Sequence, residues 1–144
     1  MADADIAALP ILERAKPDAL LFLWVTVPMQ WRVMTRVLPA WRGFEYKSEI
    51  VWVKDRQATG YYSFGKHELC WILRRGKFAI PRPAPLGTSV IAAPRREHSR
   101  KPDELQDRID RAWPDARKLE LFARQRRPGW DAWGNETDKF EATP

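Results

Sequence analysis

The stretch Pro94–Leu105, PRREHSRKPDEL, gathers Arg95, Arg96, His98, Arg100 and Lys101 ahead of Pro102, Asp103 and Glu104. Guanidinium and ammonium groups at this density pair with carboxylates or phosphates, arginine as a planar fork and lysine as a point charge. Three settings accommodate such a run: a solvated loop, a nucleic-acid patch, or the mouth of a site for a charged small molecule. Two other segments carry residue types suited to chemistry. One is a second basic segment, Arg124–Arg127. The other is an aromatic loop, Asp55–Lys66, in which Tyr61, Tyr62 and Phe64 suit base stacking while Lys54, Arg56 and Lys66 suit phosphates.

These segments hang between elements that the hydrophobic pattern predicts. Leu20–Thr26 is a continuous apolar run of strand length, the mark of a strand covered on both faces in a parallel sheet. After Pro28, the residues Trp31, Val33, Met34, Val37, Leu38 and Trp41 recur near a 3.6 period. They predict a helix that Gly43 ends and that Pro39 shortens or kinks. Tyr46–Lys54, His67–Arg75, Ser89–Ala93 and Lys118–Ala123 read as further strands, and the proline-rich Lys77–Gly87 as irregular connection. Leu105, Ile109, Ala112 and Trp113 form the buried stripe of a second helix, with Pro102 in its first turn and Asp103 and Glu104 at its positive end.

Strands alternating with two amphipathic helices predict an α/β fold with a largely parallel sheet. Ligands of such sheets bind where strand carboxyl ends meet helix amino termini. Both basic segments fall at such ends, so topology allows them to converge on one anionic ligand.

Composition narrows the function classes. A length of 144 residues fits one domain on a prior of ~100–200 residues per domain. Hydrophobic and charged contents of 44% and 31% are those of a globular chain rather than a disordered one. A net charge of +6 favours a polyanionic partner. The single Cys70 rules out an internal disulfide framework, and with His67 and His98 it makes no metal set at zinc spacing, so no metal is expected. His67 and Cys70, three apart on a predicted strand, face opposite sides and make no catalytic pair. No apolar run approaches the ~20 residues of a membrane span and no basic-headed leader precedes Leu20, so the chain is expected in the cytoplasm, off the membrane. Glycine-rich dinucleotide and P-loop motifs are absent.

Five separated blocks carry the positive signal: LFLWVT, EIVWVKDRQ, GYYSFGKHEL, SVIAAPRREHSRKPDEL and RKLELFARQRRPGWDAWGNE. In order and spacing they closely resemble the S-adenosylmethionine-dependent adenine methyltransferases typified by the catalytic subunit of the messenger-RNA N(6)-adenosine methyltransferase, bacterial and phage members above all. The resemblance runs from Ile6 to Glu136 and is most specific in the combination of HSRKPDE, LELFAR and GWDAWGNE. It implies a single Rossmann-like methyltransferase domain over residues 1–136, helices on both faces of its sheet, and a polar tail over 137–144.

For the cofactor, S-adenosylmethionine, the resemblance implies that Lys101 approaches the methionine moiety and Glu120 accepts the ribose hydroxyls. Phe122 and Arg124 then line the cofactor, Arg126 lies near its ribose and adenine, and Asn135 and Glu136 hold its adenosine end. On the substrate side it implies contacts from Lys54, Tyr61 and Tyr62, with Glu68 near the active site. Gly65-Lys66 stand ahead of His67-Glu68 where family members often carry Asn-Gln, and Trp52 reads as core. The chemistry is consistent, because a zwitterionic ligand of this kind needs an ammonium for its carboxylate, a carboxylate for its hydroxyls and amides for its adenine. On this reading PRREHSRKPDEL is the cofactor-facing approach to a helix, its arginines shared between a ligand carboxylate and nucleic-acid phosphates.

The family's Asp-Pro-Pro-Trp turn, implied to bind the reacting amine and stack the target ring, occurs nowhere in the 144 residues, so no catalytic residue is assigned. In the family that turn precedes the LFLWVT strand. The expectation is therefore a domain without its first strand and catalytic turn, through a misplaced start, a split gene, or a role as a non-catalytic cofactor- or nucleic-acid-binding subunit. A homo- or hetero-oligomer would then supply the turn, with adenine-containing DNA or RNA as partner. A strand left uncovered beside Trp24 and Trp52 predicts marginal stability or self-association.

Overall fold

Four strands join one sheet in a computed structural model that describes residues 1–140; the last part of the expected 137–144 tail lies outside the described residues. They are β1 (Ala19–Val25), β2 (Phe44–Val53), β3 (His67–Arg75) and β4 (Val90–Ala92), in the spatial order β1-β3-β2-β4. This sheet belongs to a first compact unit, Met1–Ala112; a second unit, Trp113–Pro144, is built separately. The architecture is mixed α/β.

The sheet is mixed rather than largely parallel. β1 and β2, joined through a helical segment, run the same way, but β3 inserts between them antiparallel to both. Only the short ladder between β2 and β4 is parallel. The cause is the 55–66 connection, which holds no helix to carry a crossover, so the chain reverses directly into an antiparallel neighbour. Position in the sheet also decides burial. β1, hydrogen-bonded only to β3 among the described residues, is half-buried until Val25. The two-faced cover expected of Leu20–Thr26 belongs instead to central β3, where Glu68, Leu69, Cys70, Trp71 and Leu73 are buried.

The helix expected after Pro28 is irregular. 3-10 turns at Val27–Met29 and Leu38–Ala40 flank an α turn, Gln30–Arg32, and a π turn, Val33–Val37. Pro39 has no N–H for the Thr35 carbonyl, and the wider π turn rotates the stripe out of register. Val37 and Trp41 are buried as the period predicts, but Trp31 is 76% exposed and Met34 also faces out. Two short helices unread in the sequence, α1 (Asp3–Ala7) and α2 (Ile11–Arg14), precede the sheet. Asp3 fastens α1 to the irregular segment through Arg32 at 3.0 Å and Arg36 at 3.3 Å. The helix α3 (Glu104–Ala112) buries Leu105 and Ile109, two of the four stripe positions. No helix among the described residues is long and apolar enough to cross a membrane.

In the second unit β5 (Lys118–Leu121) pairs in parallel with β6 (Trp130–Trp133), a strand not expected from sequence. Ala123, just past β5, is fully buried.

Candidate functional site

Glu68 is the one buried charged residue among those described. Alternation along a strand places it opposite Trp52 of β2, and Lys54, two residues on, shares that face. The Lys54 Nζ lies 2.7 Å from Glu68 Oε2, and the Lys101 Nζ donates to Oε1 at 2.6 Å. Lys101 arrives from the segment just before α3, so the cluster draws on three separate stretches of chain. Its floor is aromatic. Lys54 Nζ stands 5.0 Å from the Trp52 ring centroid, Lys101 Nζ 5.5 Å from that of Trp24, and the two rings meet edge to face. Trp52 is core, as read from sequence, and its indole Nε1–H donates to the Ala93 carbonyl at 2.8 Å.

Burial works against the Glu68 charge, but the lysine hydrogen bonds and the positive charges of Lys101 and Lys54 outweigh it and hold the carboxyl below its usual range. Two ammoniums against one carboxylate leave the cluster formally +1, suited to an additional anionic group. Burial pushes the neighbouring Cys70 thiol up to about 12, so it stays a thiol at neutral pH and is no nucleophile.

Most cations of PRREHSRKPDEL are engaged within the chain. Arg96 pairs with Asp103 at 3.0 Å and donates to the Lys101 carbonyl, and Arg100 pairs with Glu97 at 3.1 Å. These contacts brace the segment that delivers Lys101. Arg95 makes no side-chain ion pair among the described residues, while its backbone N–H donates to Asp55 Oδ1 at 2.8 Å. That hydrogen bond lowers the Asp55 pKa and ties the basic segment to the aromatic loop. Asp55 was not singled out from sequence; the available signal was an aspartate opening a loop, where such side chains accept backbone N–H groups.

The loop itself is closed by hydrogen bonds from Lys54 N to Lys66 O (2.8 Å) and from Ala58 N to Gly65 O (2.7 Å). Beyond that neck Tyr61 and Tyr62 are 94% and 96% exposed, their centroids 4.8 Å apart, with Phe64 also exposed. None of these rings serves the core.

The structure thus brings Lys54, Glu68 and Lys101 together and leaves Tyr61 and Tyr62 on the loop beyond. The remaining sequence-assigned residues belong to the second unit. Glu120 is half-buried on β5, and Phe122 follows its end with φ 57°. The Arg124 guanidinium lies 5.5 Å from the Phe140 ring centroid, and Arg126 pairs with Asp138 at 3.1 Å. Asn135 and Glu136 are exposed, Glu136 accepting from Lys139 at 3.2 Å, beside an open cavity of about 370 Å³ lined by residues 135–139. The groups needed for a nucleoside are present there: a carboxylate, an amide and guanidiniums around open space.

The MT-A70 family model matches residues 1–136. The chain is 37% identical over 120 residues to the Type II methyltransferase M.MunI of a Mycoplasma species, an alignment covering 83% of this chain and 51% of that protein. It is 36% identical over 146 aligned positions to the N(6)-adenosine-methyltransferase MT-A70-like of Arabidopsis thaliana, covering 94% and 21%. To the N(6)-adenosine-methyltransferase catalytic subunit METTL3 of Homo sapiens it is 34% identical over 142 positions, covering 90% and 23%. The chain spans about half the length of the first of these relatives and under a quarter of the others.

Proposed function

Because the chain belongs to the MT-A70 family, we propose that it is an S-adenosylmethionine-dependent methyltransferase domain, Rossmann-like over residues 1–136, acting on the exocyclic amine of adenine in DNA or RNA. The observation that carries this reading is the buried Glu68 carboxylate held between Lys54 and Lys101 over Trp24 and Trp52. A protein seldom buries a carboxylate under two lysines for stability alone, since desolvation offsets most of the attraction. Here the arrangement positions two ammoniums and leaves a surplus positive charge.

Bound cofactor would supply an electrophilic methyl group on a cationic sulfur. Lys101, oriented by Glu68, would hold its carboxylate, while Lys54 serves the substrate side. In the second unit, Glu120 would accept the ribose hydroxyls, Phe122, Arg124 and Arg126 would line the cofactor, and Asn135 and Glu136 would hold its adenosine end. Tyr61 and Tyr62 would stack bases of the nucleic acid. The 144 residues contain no Asp-Pro-Pro-Trp turn, so supply of that turn by another segment or by a homo- or hetero-oligomeric partner belongs to the proposal. The exposed tyrosine pair favours one further reading, a non-catalytic subunit that binds nucleic acid beside an active methyltransferase.

The test is calorimetric titration with S-adenosylmethionine, paired with transfer of labelled methyl to adenine-containing and adenine-free oligonucleotides. Saturable binding, abolished in a Glu120→Ala, Asn135→Ala double variant, together with adenine-dependent transfer is the expected result. Binding without transfer selects the subunit reading. A folded protein that binds no cofactor overturns both cofactor-dependent assignments.

A further inference from the structure

Phe122 follows the end of β5 and Trp133 closes β6, and the parallel pairing sets Leu121 opposite Trp133. At φ 57° Phe122 occupies the left-handed region, which Cβ sterics penalise and which bulky residues rarely adopt. The next residue, Ala123, is fully buried and donates its N–H to the Trp133 carbonyl at 3.2 Å. The residue after Trp133 is Gly134, with φ 142°, and a Cβ there would stand 3.0 Å from the Phe122 Cα. A strained backbone, a buried alanine and a glycine that permits close approach therefore fix two large rings where they meet edge to face, centroids 5.4 Å apart. Nevertheless Phe122 is 45% exposed and Trp133 44%. Burial of apolar surface would favour turning either ring inward, but the backbone holds both out.

The surroundings indicate what the rings await. Carboxyl ends of parallel strands are where α/β sheets bind ligands. Glu120 lies two residues before Phe122, and Asn135 two residues after Trp133. A carboxylate, two aromatic rings and an amide within one turn of chain match the hydroxyls, the flat face and the polar edge of a nucleoside. We infer that Phe122 and Trp133 together form the stacking surface for the adenine ring of the cofactor, with Trp133 a binding residue in its own right. The family resemblance pointed to Phe122 alone; Trp133 is the new assignment, and it rests on the cofactor reading above.

Titration of the protein with S-adenosylhomocysteine and with adenosine tests this, by calorimetry and by tryptophan fluorescence, on the wild type, Trp133→Leu and Phe122→Gly. Leucine keeps apolar bulk without a π face, and glycine accepts the left-handed backbone, so each variant reports stacking by a different route. Loss of one stacking ring weakens binding by roughly ten- to a hundredfold. The expected result is a loss of that size in each variant, equal for the two ligands, with the same midpoint of unfolding and with reduced ligand-induced quenching in Trp133→Leu. Wild-type affinity retained in both variants overturns the stacking assignment and leaves the cofactor reading standing. A loss confined to S-adenosylhomocysteine likewise overturns it, because the adenine is common to both ligands. No binding of either ligand by the folded wild type overturns the cofactor reading and this assignment with it.

Discussion

Glu68 is a charge placed where burial is nearly complete, its oxygens taken by Lys54 and Lys101. Phe122 and Trp133 are large apolar rings placed where exposure is nearly half, held there by a left-handed residue and a close-approaching glycine. Each reverses the ordinary sorting of polar outside and apolar inside. What differs is how the reversal is stabilised: by opposite charge in the first unit and by backbone geometry in the second. Sites that break local rules in this way are where function is expected to reside. The two therefore respond to substitution with different signs and sizes.

The largest effect is expected at Glu68. Glu68→Ala leaves two ammoniums facing each other over buried tryptophans, and breaking such a buried pair costs roughly 3 kcal/mol. Urea unfolding measures it directly. Lys54→Met and Lys101→Met should each cost less, and a double-mutant cycle of either with Glu68→Gln should give a coupling of about 0.5–3 kcal/mol. Additivity within experimental error would show the cluster to be an incidental contact.

Acid should dissolve the same cluster. The Glu68 pKa is lowered in the folded protein, so its contribution is fully present above the unfolded carboxylate pKa and is lost as pH falls through the lower folded value. The expected result is a fall in stability on the acid side of the ordinary carboxylate range, flattened in Glu68→Gln. A variant whose acid limb matches the wild type would assign the loss to other carboxylates, Asp3 among them, whose pKa is also lowered against its burial by Arg32 and Arg36.

How the two sites read from sequence differs as much as how they are held. Strand β3 was legible to its last residue, because the polar–apolar contrast at His67 and Gly76 bounds a nearly continuous apolar run. Leu105 and Ile109 were legible because a 3.6 period reports one buried face. Direction was not, since periodicity is the same in parallel and antiparallel strands, and so the insertion of β3 between β1 and β2 was missed. The irregular segment 27–40 misled because Pro39 was visible but its consequence, a π turn that exposes Trp31, depends on local hydrogen bonding. Lys54, Glu68 and Lys101 were each singled out, yet their meeting rests on strand register and on a hydrogen bond spanning 33 positions, which no local pattern encodes. Trp133 escaped notice because its strand is only four residues long and lies inside a motif read for Asn135 and Glu136.

A smaller effect is expected between these extremes, at the tether joining the aromatic loop to the basic segment. Asp55→Ala removes the acceptor of the Arg95 N–H. Hydrogen exchange at the Arg95 amide should accelerate while the midpoint of unfolding barely moves, since the group is solvent-exposed. Oligonucleotide binding should weaken less than in Tyr61→Ser, Tyr62→Ser, where two rings are lost outright. Unchanged exchange at Arg95 would show that the loop and the segment are positioned independently.

The smallest effect is the most diagnostic of the second unit, because it inverts a familiar order. At an ordinary helix or strand position glycine is less stable than alanine by about 0.5–1 kcal/mol. At Phe122 the left-handed backbone penalises any Cβ by roughly 1–2 kcal/mol, and glycine escapes that penalty. Phe122→Ala loses the edge-to-face contact with Trp133, worth about 0.5–1.5 kcal/mol, and keeps the strain; Phe122→Gly loses the same contact and sheds the strain. Phe122→Gly is therefore expected to be the more stable variant of the two by up to about 1 kcal/mol, and close to the wild type. Urea midpoints of the three proteins decide it. Alanine equal to or better than glycine would mean that the backbone at Phe122 is not strained in solution, and that the two rings stand exposed for lack of a place in the core rather than by the geometry of the fold.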